Sequence, residues 1–188
     1  MKESLILVKH SLPEIVRSLP AREWKLSEEG QRRAQRLAER LRPLHPEVII
    51  SSMELKARET AKIIGDRLGL DYHLAHALHE HDRSKMSYLS EGEFQAAMRE
   101  FFERPESLVF GGETAEEAYV RFHRAVYAVL ESHPDQSIVI VAHGTVISLF
   151  ISRLTGIPAW SLWKRLGLPS YASIDLQTNT LMRTENIP

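Results

Sequence analysis

Residues Leu5–Pro13, LILVKHSLP, decide how this chain folds. Four apolar residues of strand length run directly into a cation, an imidazole and a hydroxyl, and Pro13 stops the strand shortly after Ser11. An apolar run bounded in this way reads as a strand buried on both faces, the condition of strands in a parallel sheet. Ligands of open α/β sheets collect at the carboxyl ends of strands, so Lys9, His10 and Ser11 stand where a site is expected. Taken alone, a lysine–histidine pair at a strand end is ordinarily a solvated terminus. The rest of the chain has to supply its partners.

Outside this stretch, strand and helix patterns alternate. Ser27 reads as an N-cap, with Glu28 and Glu29 placed against the positive end of a helix. The apolar stripe Ala34, Leu37, Ala38 and Leu41 ends before Pro43. Glu47–Ile50 reads as a second strand closing on Ser51 and Ser52, followed by a helix with Ala57, Ala61, Ile64 and Leu68 on its buried face and Gly69 at its end. A further short strand is expected within Leu70–Leu78. Between Asp82 and Gly112 the pattern loosens, although Phe94, Ala97, Met98 and Phe101 mark an amphipathic helix stopped by Pro105. Thr114 and Glu117 form a capping box for a helix whose core face is Ala118, Phe122, Ala125, Val126 and Val129. Ser137–Ala142, SIVIVA, is the clearest strand and runs into His143-Gly144, with a helix over Val146–Leu154 ending at Gly156 and Pro158. A closing hairpin, 172–176 and 180–184, is expected around Asn179. The pattern predicts one α/β domain over residues 1–188, a three-layer α/β/α sandwich with a mostly parallel sheet, and an insertion or lid region at about 82–112.

Composition excludes several function classes. Lys and Arg number 24 against 25 Asp and Glu, a formal net charge of −1, which argues against a nucleic-acid or anionic-membrane partner. The absence of cysteine removes disulfides and thiolate chemistry and is compatible with a cytoplasmic setting. No apolar run reaches spanning length, and the start lacks a signal-peptide pattern, so a soluble protein is expected. An open sheet edge would permit a homodimer.

His10 and His143 each follow an apolar strand. If both strands are parallel members of one sheet, both imidazoles emerge along one rim, with Ser51 and Ser52 ending a third strand beside them. A helix opening near Gly144 and Thr145 points free backbone N–H groups at that rim, and such helix starts favour anions. Lys9 and Lys56 add positive charge. The set describes a phosphate pocket, with a phosphomonoester or phosphate as ligand. One imidazole can attack phosphorus and carry the group covalently. The other can hydrogen-bond the equatorial oxygens, and a carboxylic acid must then protonate the leaving oxygen and later activate water. His73, His76, His79 and His81 fall on strand and loop rather than on one helix face, so they read as solvated or locally bonded imidazoles, not metal ligands.

These motifs resemble the histidine phosphatase superfamily, the fold shared by cofactor-dependent phosphoglycerate mutases and many small phosphatases. LILV-Lys9-His10-Ser11 matches its strand–RHG opening, and Leu26, Ser27, Gly30 and Ala34 its L-(S/T)-x-x-G-x-x-x-A helix start. Ser52, Lys56, Ala57, Thr60 and Ala61 match S-x-x-x-R-A-x-x-T-A. Leu78 and Glu80 match the L-x-E acid motif, Gly111–Thr114 the GGE(S/T) turn, and Ala142, His143 and Gly144 the strand–(S/A)HG motif. The matches span nearly the whole chain in the family's order.

The resemblance implies that His10 is the nucleophile, His143 the second imidazole on the phosphoryl oxygens, and Glu80 the general acid and base, with no metal and no cofactor. It also shows departures. Lys9 and Lys56 stand where the family carries arginines, keeping charge but losing the planar two-pronged donor. Arg58 is on the wrong helix face to replace Lys56, and Arg17 or Arg22 in the first loop is the expected substitute. Ser11 replaces a glycine, adding a side chain where backbone approaches phosphate. Val16 stands where mutases often carry asparagine. The expected activity is therefore metal-independent hydrolysis of a phosphomonoester. A weakened or inactive phosphoryl-ligand binder and a phosphoglycerate mutase-type transferase are the alternatives.

Overall fold

A computed structural model describes residues 4–83 and 89–188. The Leu5–Val8 run is the centre of β1 (Ser4–Lys9), which sits inside a six-stranded sheet rather than at its edge. The other strands are β2 (Val48–Ser52), β3 (Tyr72–Ala75), β4 (Ile138–Ala142), β5 (Ser170–Asp175) and β6 (Thr180–Asn186). Their spatial order is β3-β2-β4-β1-β5-β6, with β3, β2, β4 and β1 parallel and the β5–β6 hairpin antiparallel at the other side. Every residue of β2 and of β4 is buried. That explains why these segments read as continuous apolar runs and not as an alternation.

Alternating side chains of β1 divide the core. Ile6 and Val8 pack with Leu37, Leu41, Ala57, Ala61 and Ile64 from α1 (Glu28–Leu41) and α2 (Leu55–Leu68). Leu5 and Leu7 face the opposite layer, formed by α3 (Glu91–Glu103), α4 (Ala115–Ser132), α5 (Gly144–Thr155) and α6 (Ala159–Arg165). In that layer Phe101, Phe122, Phe150 and Leu162 are essentially inaccessible. Burying each such side chain stabilises by about 1.5–3 kcal/mol. The α/β sandwich with a mostly parallel sheet is the expected architecture.

Local signals hold where capping chemistry sets them. Ser27 accepts the Gly30 N–H, and Thr114 with Glu117 forms a complete capping box. Asn179 adopts a left-handed φ of 53° in the closing hairpin, and the last strand extends to Asn186. Other details of the elements differ from expectation. The strand expected within Leu70–Leu78 shortens to Tyr72–Ala75 because Ala77 turns the chain with φ 65°. α5 begins at Gly144, two residues before the apolar pattern, because extended His143 occupies its N-cap. α6, unforeseen, is a single short helix starting after Pro158. The loosened segment from Asp82 to Gly112 holds α3, and its residues 84–88 lie outside the described set. Among the described residues no helix is long and apolar enough to cross a membrane.

Candidate active site

Register brings the two histidines together. β1 and β4 pair in parallel with Lys9 opposite Ala142, and the His10 N–H donates to the Ala142 carbonyl at 3.0 Å. His10 and His143 are therefore the next residues on adjacent strands. Their rings meet edge to face at a centroid distance of 5.2 Å, with His10 7% exposed and His143 0% exposed. On the other flank of β4, the Ser52 Oγ lies 2.8 Å from His143 Nε2.

The loop after His10 is fixed from two sides. The Ser11 N–H donates to Thr60 Oγ1 at 3.0 Å, and that hydroxyl donates to the Lys56 carbonyl at 2.7 Å. The Ser27 N–H and hydroxyl both donate to the Leu12 carbonyl. A Cβ on Gly30 would stand 2.0 Å from that carbonyl oxygen, so the helix start approaches this loop as closely as a glycine permits. The Ser11 hydroxyl donates to the Gly30 carbonyl at 2.6 Å. Its side chain is thus spent on α1 and does not stand in a pocket.

His10 Nδ1 lies 2.8 Å from the Ser11 carbonyl, an acceptor, so Nδ1 carries the proton and Nε2 keeps its lone pair. Burial, with the neighbouring His143, Lys56 and Lys9 charges, holds His10 well below the usual imidazole value. The ring is therefore neutral, with the Nε2 lone pair available. His143 is lowered to about 4 by burial, against the raising effect of Glu54 and Glu80. Its Nε2 lies 3.5 Å from Glu54 Oε1, while its Nδ1 is buried with no hydrogen-bond partner among the described residues. An unmet buried polar atom costs about 1–3 kcal/mol.

Glu80 is held at the first turn of α5. Its Oε2 accepts the Thr145 N–H at 3.2 Å and its Oε1 accepts the His81 N–H at 2.9 Å. Burial pushes Glu80 up, but the Arg83 guanidinium, His143 and these two N–H groups outweigh it and hold the carboxyl at about 2. The Glu80 loop hangs on Arg121 of α4, which donates to the carbonyls of Ala77, His79 and Glu80 and pairs with Glu113 at 2.6 Å. Gly111, at φ 82°, lets the returning chain pass, since a Cβ there would stand 2.1 Å from the Asp82 carbonyl oxygen. His81 closes the same corner, its Nε2 2.9 Å from the Glu113 carbonyl and its ring against Phe101 and Phe110.

Both lysines reach the rim with their ammonium groups engaged. Lys9 lies against Gly144 and donates to the Leu166 carbonyl at 2.7 Å, and burial lowers it to about 8 despite Glu80. Lys56 is buried, 2.5 Å from Glu54 Oε2 and 2.8 Å from the Ala21 carbonyl. Arg17 and Arg22 are exposed in the first loop, with Arg22 beside Glu23, and no hydrogen bond brings Arg22 to the histidines. Among the described residues Arg83 brings a guanidinium to this rim, its Nη2 donating to Thr145 Oγ1 at 2.8 Å and lying 3.8 Å from Glu80.

Glu54, Arg83 and Arg121 escape a reading of the sequence. Glu54 immediately precedes α2 and reads as an N-terminal acid, yet its side chain caps nothing and instead joins Lys56, His143 and the Glu80 N–H. Arg83 carries only the signal of lying three residues after Glu80. Arg121 sits beside the apolar stripe of α4, where a solvated charge is the ordinary occupant.

A mostly parallel sheet covered on both faces, presenting two packed imidazoles, a carboxylate and a helix start at one rim, defines a protein of phosphoryl chemistry. The chain belongs to the histidine phosphatase superfamily (branch 1), whose family model matches residues 5–180. It is 30% identical over 158 residues to GpmB of Cronobacter sakazakii, described as a probable phosphoglycerate mutase, covering 81% of this chain and 74% of that protein. Its fold is similar to a mycobacterial glucosyl-3-phosphoglycerate phosphatase, with TM-score 0.78, 22% identity and coverage of 100% and 99% of the two chains. It is likewise similar to a phosphoserine phosphatase of Entamoeba histolytica, with TM-score 0.79, 18% identity and coverage of 97% and 96%.

Proposed function

We propose that this protein hydrolyses a small phosphomonoester through a phosphohistidine at His10. The observation that carries the reading is the buried pair of rings 5.2 Å apart, with His10 Nδ1 tied to the Ser11 carbonyl. Nε2 attacks phosphorus as the ester P–O bond breaks, and the departing oxygen takes a proton from Glu80. In the second half, Glu80 takes a proton from water, the water oxygen attacks phosphorus, and the N–P bond breaks to release phosphate. Glu80 starts ionised, and a phosphate dianion brought beside it raises its proton affinity to the level an acid needs. A phosphoryl oxygen seated by His143 gives the unpartnered Nδ1 a partner once that ring is protonated. The N–H groups opening α5 add positive potential without titrating. No step assigned to these residues calls on a metal.

The relatives named as phosphatases support transfer to water, and the probable mutase keeps transfer to a second hydroxyl in view. Incubation with an aryl phosphate, followed by trapping of an acid-labile, alkali-stable phosphoryl label on His10, tests the reading. Neither turnover nor label across a broad ester panel would sink it. A second reading, an anion binder with weak turnover, is favoured by the engagement of Lys56 with Glu54 and of Lys9 with Leu166. Taking both lysines as replacements for arginine, a Lys9→Arg/Lys56→Arg double variant separates the two. A large gain in rate supports the weakened enzyme, and an already active wild type dismisses it.

A further inference from the structure

The geometry points to Arg83 as the residue that selects the substrate, by gripping an anionic substituent on the leaving group: a carboxylate or a second phosphate. The inference rests on the phosphohydrolase reading and adds to it a substrate class. In an in-line displacement the leaving oxygen lies opposite the attacking Nε2, beside the acid that protonates it. Everything attached to that oxygen therefore extends on the Glu80 side of the pocket. Arg83 stands on that side, its Nη2 donating to Thr145 Oγ1 at 2.8 Å and 3.8 Å from Glu80 Oε2, beyond hydrogen-bond length. Arg83 is the first of the charges that hold the Glu80 carboxyl down, ahead of His143.

Arg83 is also prepared for a ligand. Its guanidinium carbon lies 5.0 Å from the Phe94 ring centroid, within cation–π range. Phe94 is itself braced by Phe110 and Trp163. The Nη2 contact to Met98 Sδ, at 3.7 Å, is weak, and the Nε is buried with no partner among the described residues. A planar donor beside an aromatic ring, with an unmet N–H and no carboxylate within hydrogen-bonding distance among the described residues, suits a bidentate oxyanion. A neutral leaving group gives it nothing to bind.

The test compares three probes on the full chain: phenyl phosphate, whose leaving group is neutral, phosphoglycolate, which adds a carboxylate, and ethylene glycol bisphosphate, which adds a second phosphate. Arg83→Met keeps an unbranched side chain on Phe94 and removes the fork. It is expected to lower kcat/KM for the better of the two anionic probes by about 30-fold or more, and for phenyl phosphate by less than about 3-fold. Arg83→Lys recovers part of the loss. Which anionic probe suffers identifies the substituent. An equal loss on all three probes assigns Arg83 to Glu80 or to the transferring phosphoryl group, and no loss on either anionic probe removes it from the substrate. Both results overturn the proposal. Calorimetric binding of the same probes needs no turnover. A protein that hydrolyses none of them yet loses phosphoglycolate or bisphosphate binding on Arg83→Met defeats the phosphatase reading and keeps this one. Binding indifferent to that substitution defeats this one.

Discussion

The two halves of the rim are built differently. The His10 half is held by regular structure: adjacent parallel strands in register, a hydroxyl from α2 on the Ser11 N–H, and a helix start against the Leu12 carbonyl. The Glu80 half is a loop held by side chains, above all by Arg121, which reaches three carbonyls of the 77–80 loop and one carboxylate. His10, the proposed nucleophile, is positioned by elements that exist for the stability of the sheet, so its placement comes with the fold. Glu80, the proposed acid, is positioned by a few charged contacts that could be lost while the sheet remained intact.

The largest effect expected falls on the proposed nucleophile. His10→Ala removes the ring proposed to carry the phosphoryl group and is expected to lower turnover of an aryl phosphate by about 10³-fold or more, with the cooperative thermal transition retained. Activity near the wild-type level in this variant would place the chemistry elsewhere. Next comes the clamp of the acid half. Arg121→Met leaves three carbonyls without this donor and Glu113 with the Asp82 N–H but no cation, and is expected to cost about 2–4 kcal/mol of stability. Because Glu80 loses its mooring, kcat is expected to fall by about 10–100-fold, with binding of inorganic phosphate changed much less. Phosphate binding that falls in step with kcat would show that the halves are not separable.

Acid titration sharpens the contrast in another way. His143 has a folded value of about 4, below the ordinary 6.5, so the unfolded chain takes up this proton first. Its contribution to stability is present above pH 6.5 and is lost as pH falls from 6.5 through 4, by about 3 kcal/mol in all. Glu80, lowered to about 2, adds a further loss only below the ordinary carboxylate value of 4.5. Denaturant midpoints measured from pH 7 to pH 3 should show two stages, the first smaller in His143→Gln but still present, because His10, His79 and His81 are lowered in the same direction. A first stage unchanged by His143→Gln would mean that this ring is already charged in the free protein. The smallest effect belongs to Thr60→Val, which withdraws the acceptor of the Ser11 N–H at nearly constant volume. About 1–2 kcal/mol of stability should be lost, with kcat reduced less than by Arg121→Met. The reverse ranking would mean that the His10 loop, not the Glu80 loop, is the marginally held part of the site.

The same division separates what could be read from what could not. β1, β2 and β4 announce themselves because burial on both faces leaves a continuous apolar run in each of them. Ser11, foreseen as an intrusion on phosphate, instead bonds the Gly30 carbonyl, since α1 docks close enough to accept it. Arg17 and Arg22, foreseen as replacement cations, stay exposed in the first loop, whereas Arg83 reaches the rim. Glu54, Arg83 and Arg121 leave no periodic signal, because a charge beside an apolar stripe or on a loop has the same local pattern whether it meets water or a buried partner.

The sequence by itself determined the alternation of strands and helices, the parallel core of the sheet, and the placing of His10 and His143 at strand ends, because apolar periodicity and capping act over a few residues. Tertiary structure alone decided which distant groups meet: Glu54 with His143, Arg121 under the Glu80 loop, and Arg83 beside Thr145. Coulomb and hydrogen-bond partners are chosen by distance in space after packing has closed the layers, and separations of about 40 to 90 residues along the chain carry no record of that choice.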